Sequence, residues 1–186
     1  ELFKAIHVSL HLPQYFSNLF THQACSDITS VGCHTNLWNF PSSQYHRWVK
    51  EEGIFEKLAP IRPSDSAIPV VVEGKKIVVG TGLHDSSAAT IPYLESFQEP
   101  FVLLSTGTWC ISLNPFNDEA LTTDELKADC LCFLSFKGNM VKASRVFSGY
   151  EHELQTKRIA EHFGKPLDYY KTVDAPPGLA ERWKEK

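Results

Sequence analysis

The chain contains no G-x-x-x-x-G-K-[ST] segment, which disfavours a P-loop nucleotide site. No apolar run approaches the roughly 20 residues that a bilayer-crossing helix needs. The opening ELFKAIHVSL has neither a basic start nor a small-residue cleavage site, so no signal peptide is read there. HELQT at His152 misses the zinc-protease pattern, because Thr156 stands where the second histidine must be. The cysteines Cys25, Cys33, Cys110, Cys130 and Cys132 lack a disulfide-framework spacing, which favours reduced thiols and a cytoplasmic protein. Cys130-x-Cys132, the Cys33–His34 neighbours and the His7/His11 pair do not make up the two ligand pairs of structural zinc. The thiols therefore read as small apolar packing groups, and no metal site is expected. Internal repeats and low-complexity tracts are absent. A net charge of -4 and a pI near 6.1 offer little to nucleic acid or to an anionic membrane surface.

What is present suits one good core or two small ones: 186 residues, 42% hydrophobic and 22% charged. Residues 3–20 carry a helical period with Ile6, Leu10, Phe16, Leu19 and Phe20 near one stripe. Pro13 interrupts it, so either two helices meet there or the second starts at the proline. The stretch 21–41 is polar and irregular, with Asp27, Thr29 and Ser30 as capping or turn groups. A short helix is expected over 43–52, capped by Ser42 or Ser43 and stopped by Gly53.

Past residue 68 the period turns β-like. Strands are expected at 69–73 and 76–79, at 101–105 and 108–113, and as a hairpin at 130–136 and 140–144. Helices are expected over 86–94, with Asp85 as N-cap, and over 150–163, with Leu154, Ile159 and Phe163 facing in. The changes of period near 68 and 96 suggest an α/β chain straddling two domains.

Two turns carry the chemistry. Gly80-Thr81-Gly82-Leu83-His84-Asp85-Ser86-Ser87 follows the apolar run Ile77–Val79 and presents one carboxylate. FVLLSTGTW, Phe101 to Trp109, delivers Thr106, Gly107 and Thr108, whose hydroxyls and unhindered amides suit phosphate oxygens. A carboxylate facing a phosphate cradle is the minimum equipment for phosphoryl transfer to a hydroxyl. On spacing alone, Asp85 is better read as a helix cap than as a base. Trp38 and Trp109 lie in apolar stretches and read as core residues.

GLHDSSAA followed by LLSTGTW resembles the middle of the FGGY carbohydrate kinases, most closely the rhamnulokinase and fuculokinase branch. HLPQYFSNLFT and SDITSVGCHTNLW resemble that family's helix and following loop, with His22 in place of the usual glycine after Thr21. The resemblance implies an RNase H-like fold of the actin-like ATPase superfamily. Residues 1–95 would end the first domain and residues 96–186 would begin the second. It implies transfer of the γ-phosphoryl of ATP to a sugar hydroxyl, with Mg²⁺ held mainly through the nucleotide. Asp85 matches the catalytic base, and His84, Asp85 and Ser86 the sugar-contacting positions. Gly107, Thr108 and Gly149 match the ATP side.

The glycine-rich phosphate hairpin that opens this family and the glycine-rich adenine segment that closes it do not occur here. The expectation is therefore a central segment of a sugar kinase, inactive by itself. A non-catalytic sugar-binding or scaffolding remnant is the alternative. ATP and a small sugar such as a ketose or deoxy-ketose are the expected partners, and a homodimer is left open.

Overall fold

The computed structural model describes every residue except 34, 175, 185 and 186, and the backbone only at 180, 183 and 184. The metal reading that paired Cys33 with His34 thus falls in part outside the described residues. The chain forms two compact units. One comprises residues 1–105 and 111–145, the other residues 106–110 and 146–186.

The first unit opens with a short helix α1 (Leu2–Ala5) and a longer helix α2 (Leu12–Thr21). Pro13 sits in the first turn of α2, where its missing N–H is not needed. The helix stops at His22, which adopts a left-handed φ of 54° and whose N–H bonds to Asn18 O. This conformation favours glycine, so the histidine there costs about 1 kcal/mol. The buried face of α2 is Gln14, Ser17 and Thr21. Phe16, Leu19 and Phe20, the expected stripe, point outward. The reason is local: the inward face hydrogen-bonds a glycine-bearing turn, as described below.

Strand β1 (Ser26–Asp27) pairs in parallel with β4 (Ile61–Arg62). Between them lie α3 (Ile28–Val31), the β2–β3 pair (Trp38–Asn39, Gln44–Tyr45) and α4 (Arg47–Glu51). The helix expected over 43–52 is thus shorter, with His46 as N-cap because Gln44 and Tyr45 pair as a strand. Gly53 follows it at φ 66°, in its expected stopping place. A 3-10 turn at Phe55–Lys57 follows. Strands β5 (Ala67–Val72) and β6 (Lys75–Gly80) form a hairpin around Glu73-Gly74.

Helix α5 (Asp85–Ser96) leads to a four-stranded sheet in the order β7 (Leu103–Ser105), β8 (Cys110–Asn114), β10 (Met140–Val146), β9 (Cys130–Leu134). Helix α6 (Thr123–Lys127) precedes β9 and carries a reciprocal capping box between Thr122 and Glu125. One face of the sheet supplies the core: Leu113, Phe133, Val141 and Ala143 pack with Cys33. Ser87 of α5 is fully buried and its hydroxyl donates to Leu134 O at 2.8 Å, tying helix to sheet.

The second unit is dominated by α7 (Ser148–His162), followed by a 3-10 turn at Tyr169–Thr172 and α8 (Leu179–Lys184). Ala160 is the buried residue of α7, whereas Ile159 and Phe163, expected to face in, are more than half exposed. Ala160 follows from the 3.6-residue period, whereas Ile159 and Phe163 line an open cavity with Leu167, Tyr169, Tyr170 and Val173 of the same unit.

Candidate functional site

The first candidate turn connects β6 to α5. Gly82 within it has φ 84°, and a β-carbon there would lie 2.8 Å from Pro13 O. Glycine is thus required twice, for conformation and for close approach. Gln14 Nε2 donates to Gly82 O at 2.6 Å and Ser17 Oγ donates to Gly80 O at 2.8 Å. This is why α2 turns its polar face inward: Gln14 and Ser17, themselves buried, supply donors to the turn carbonyls.

The residue after Leu83 is held from the α3 side. His84 N–H donates to Thr29 Oγ1 at 2.9 Å. Thr29 in turn donates its N–H (2.9 Å) and its hydroxyl to Asp27 Oδ1, and Ser64 Oγ donates to Asp27 Oδ2 at 2.6 Å. Asp27, fully buried, therefore acts as the N-cap of α3, in line with its reading as a turn-forming residue. The His84 ring lies with Nε2 3.3 Å from Cys33 Sγ and Nδ1 3.3 Å from Asp85 Oδ1. Burial, and then the charge of Asp85, push the Cys33 thiol up to about 11. Burial pushes the nearby His11 imidazole below its ordinary value, although Asp27 pulls the other way.

Asp85 is the first helical residue of α5, and His84 occupies the N-cap. The expectation that Asp85 caps the helix is corrected: its Oδ1 instead accepts from the adjacent Ser86 N–H at 2.6 Å. The Asp85 side chain is 92% exposed. With Ser86, Ala89 and Tyr93 it lines a cavity of about 410 Å³ closed on the other side by β7 and β8. That volume lies in the range of small-molecule sites.

The second unit brings Gly107, Thr108 and Gly149 together. Gly149 N–H donates to Thr108 O at 2.8 Å. Ser148 Oγ donates to Gly107 O (2.9 Å) and Thr108 O (3.2 Å). A β-carbon on Gly149 would come 3.1 Å from Thr108 Cγ2, so glycine lets the turn seat on the first turn of α7. The turn carbonyls are thereby occupied by the helix. Among the described residues the exposed Thr106 and Thr108 hydroxyls have no hydrogen-bond partner. Exposed donors at the amino end of a long helix suit an anion. Trp109 is 41% exposed, and its ring stacks on Phe147 at 4.6 Å and 12°. The expectation that Trp109 is a core residue is corrected.

Sequence reasoning missed Tyr93 beside Asp85 in the cavity wall, and Cys33 and Thr29 as partners of His84. Cys33 and His84 are 51 residues apart, and a lone thiol carries no local signal of what it will touch. Ser87 was visible only as part of a small-residue helix start.

The chain shares its fold with solved carbohydrate kinases. It is similar to a carbohydrate kinase from Novosphingobium aromaticivorans, at 28% identity and a TM-score of 0.70, over 80% of this chain and 35% of that one. It also resembles a xylulose kinase from Bifidobacterium adolescentis at 14% identity and a TM-score of 0.59, over 83% and 36% respectively. The chain thus spans about a third of the length of each. No protein-family model matches it, and no curated protein matches it in sequence.

Proposed function

We propose that this chain is the central segment of an ATP-dependent sugar kinase of the FGGY type, built on an actin-like, RNase H-like α/β fold. Residues 1–95 would belong to its first domain and 96–186 to its second. The observation that carries the reading is the exposed Asp85 carboxylate. It stands at a strand-to-helix turn beside a cavity, in a chain whose fold is that of carbohydrate kinases.

A sugar hydroxyl is a poor nucleophile until its proton has somewhere to go. In a loose phosphoryl-transfer transition state the proton leaves late, so a carboxylate is a sufficient acceptor if it is well placed. Asp85 would accept that proton and orient the hydroxyl, with His84 and Ser86 framing the sugar. Orientation contributes at least as much as basicity. Gly107, Thr108 and Gly149 would hold phosphate oxygens of ATP, to which the seated turn with its exposed hydroxyls is suited. Mg²⁺ would arrive with the nucleotide and neutralise charge on the transferred group. The substrate class we favour is a ketose or deoxy-ketose such as rhamnulose or fuculose, and the compartment the cytoplasm.

The test is an ATP-dependent phosphorylation screen of the full-length polypeptide carrying this chain against ketoses and polyols. Asp85→Ala is expected to lower kcat by about 100-fold or more. Near wild-type turnover of that variant would remove Asp85 as the base.

A further inference from the structure

We propose that Tyr93, with Leu103 and Leu113, determines acceptor specificity: these side chains form an apolar end wall that favours a terminal methyl on the sugar over a terminal hydroxymethyl. The inference rests on the reading of Asp85 as the base.

The cavity beside Asp85 lies between one face of α5 and the strands β7 and β8. Along α5 its wall changes character. Asp85 and Ser86 stand in the first turn, Ala89 one turn on and Tyr93 two turns on. At a rise of about 1.5 Å per residue, Tyr93 is about 12 Å from Asp85 along the helix axis. Past its first turn the helix therefore offers the cavity a methyl group and an aromatic ring.

The strands repeat the pattern. Phe101, just ahead of β7, has its ring 6.3 Å from that of Tyr93 and 5.6 Å from that of Phe97, so β7 begins at the Tyr93 end. Leu103 is the first residue of β7 and pairs directly with Leu113, which is 3% exposed. Ser105, the polar residue that β7 gives the cavity, stands about 13 Å along the strand from Phe101. The rings that close this end hold one another. Tyr93 lies parallel to Phe97 at 6.4 Å and 6°, and Phe101 packs edge-on against Phe116 at 5.2 Å.

A sugar that places its reacting hydroxyl at Asp85 sends the other end of its carbon chain towards this wall. A methyl group there loses water and gains contact. A hydroxyl there gives up its water and meets, among the described residues lining that end, no polar group besides the Tyr93 phenol. Apolar pockets reject an added hydroxyl by a limited factor, on the order of 100-fold. The wall therefore grades acceptors without excluding the hydroxylated ones.

The test uses the full-length polypeptide and two pairs of ketoses that differ at the terminal carbon alone: L-rhamnulose against L-fructose, and L-fuculose against L-tagatose. A kcat/KM ratio of about 10–100 in favour of the 6-deoxy member is expected in at least one pair. Tyr93→Asn, which puts an amide on the wall, should bring that ratio below about threefold, whereas Tyr93→Phe should keep or raise it. Leu103→Thr is the second variant and should lower the ratio at least about threefold. A variant that merely loses fold lowers both sugars of a pair alike, so the ratio reports the wall. A wild-type ratio near one, a ratio that both polar variants leave unchanged, or no turnover of either pair overturns the wall. If Asp85→Ala is inactive in the same assay, the base stands whatever the ratio. If Asp85→Ala is active, the base assignment itself fails.

Discussion

Gly82→Ala tests the placement of the acceptor turn most directly. Gly82 has φ 84°, and the substituted β-carbon would stand 2.8 Å from Pro13 O, 2.9 Å from its carbonyl carbon and 3.0 Å from its Cβ. Holding alanine at positive φ costs about 1–2 kcal/mol. Displacing backbone to admit a methyl costs about 1–3 kcal/mol. The stiffer unfolded chain offsets about 0.4–1 kcal/mol of this. The net expectation is a destabilisation near 3 kcal/mol. Gly74→Ala is the control: φ is 78°, but nothing lies within 4 Å of its β-carbon. It should cost about 1 kcal/mol, from conformation alone. The assay is urea denaturation, read as a shift in midpoint at constant slope. The difference between the two variants, about 2 kcal/mol, isolates the approach of α2 to the turn. Equal costs for the two substitutions would refute the reasoning. Gly82 also precedes His84 by two residues, so a displaced turn should lower phosphorylation turnover in the same variant.

Two further outcomes follow from packing and charge. Gln14→Ala should destabilise more than Phe16→Ala, the reverse of what hydropathy suggests. The first leaves Gly82 O without its buried donor, at about 1–3 kcal/mol, whereas Phe16 is 54% exposed. Chemical denaturation of both variants checks the order. Lys142 Nζ, 2.8 Å from Glu125 Oε1, with the Thr122 backbone and hydroxyl, holds the Glu125 carboxyl down to about 2. A depressed carboxyl contributes stability above its ordinary value near 4.5, lost as pH falls towards about 2. The stability gap between wild type and Glu125→Gln should therefore shrink over that range. A gap independent of pH would argue that the pair is not formed in solution.

Much of the fold was legible because local signals and packing agree. Pro13 started α2, Gly53 followed the short helix, and the 2-residue period gave the hairpins at 67–80 and 130–146 with boundaries off by a residue or two. Where the reading went wrong, a non-local hydrogen bond outweighed a local pattern. The aromatic stripe of α2 faces out because Gln14 and Ser17 are recruited by carbonyls more than 60 residues away. Gln44 and Tyr45 pair with Trp38–Asn39 instead of extending a helix. The two chemical turns were recognisable from their small and polar residues after apolar strands. Their supports, Thr29 and Cys33, were not, since only the folded chain brings α3 beneath His84.

The shift of Asp85 by one position, from N-cap to first helical residue, bears on its chemistry. A capping carboxylate accepts from backbone N–H groups two or three residues on, which points its lone pairs into the helix. At the first helical position the polar contacts of the carboxylate among the described residues are with its neighbour Ser86 and the ring of His84, and its side chain stands 92% exposed. His84 can take the N-cap place without a capping side chain, because Thr29 anchors its N–H and Ser87 ties the helix to Leu134. The two roles that the sequence left superposed on Asp85 are thus separable in one variant. A true N-cap lost to alanine costs about 0.5–2 kcal/mol. Asp85→Ala is instead expected to change stability by no more than about 0.5 kcal/mol, as for surface substitutions generally. A cost above about 1 kcal/mol in urea denaturation would mean that the carboxylate serves the helix after all, and its availability to a sugar hydroxyl would be correspondingly reduced.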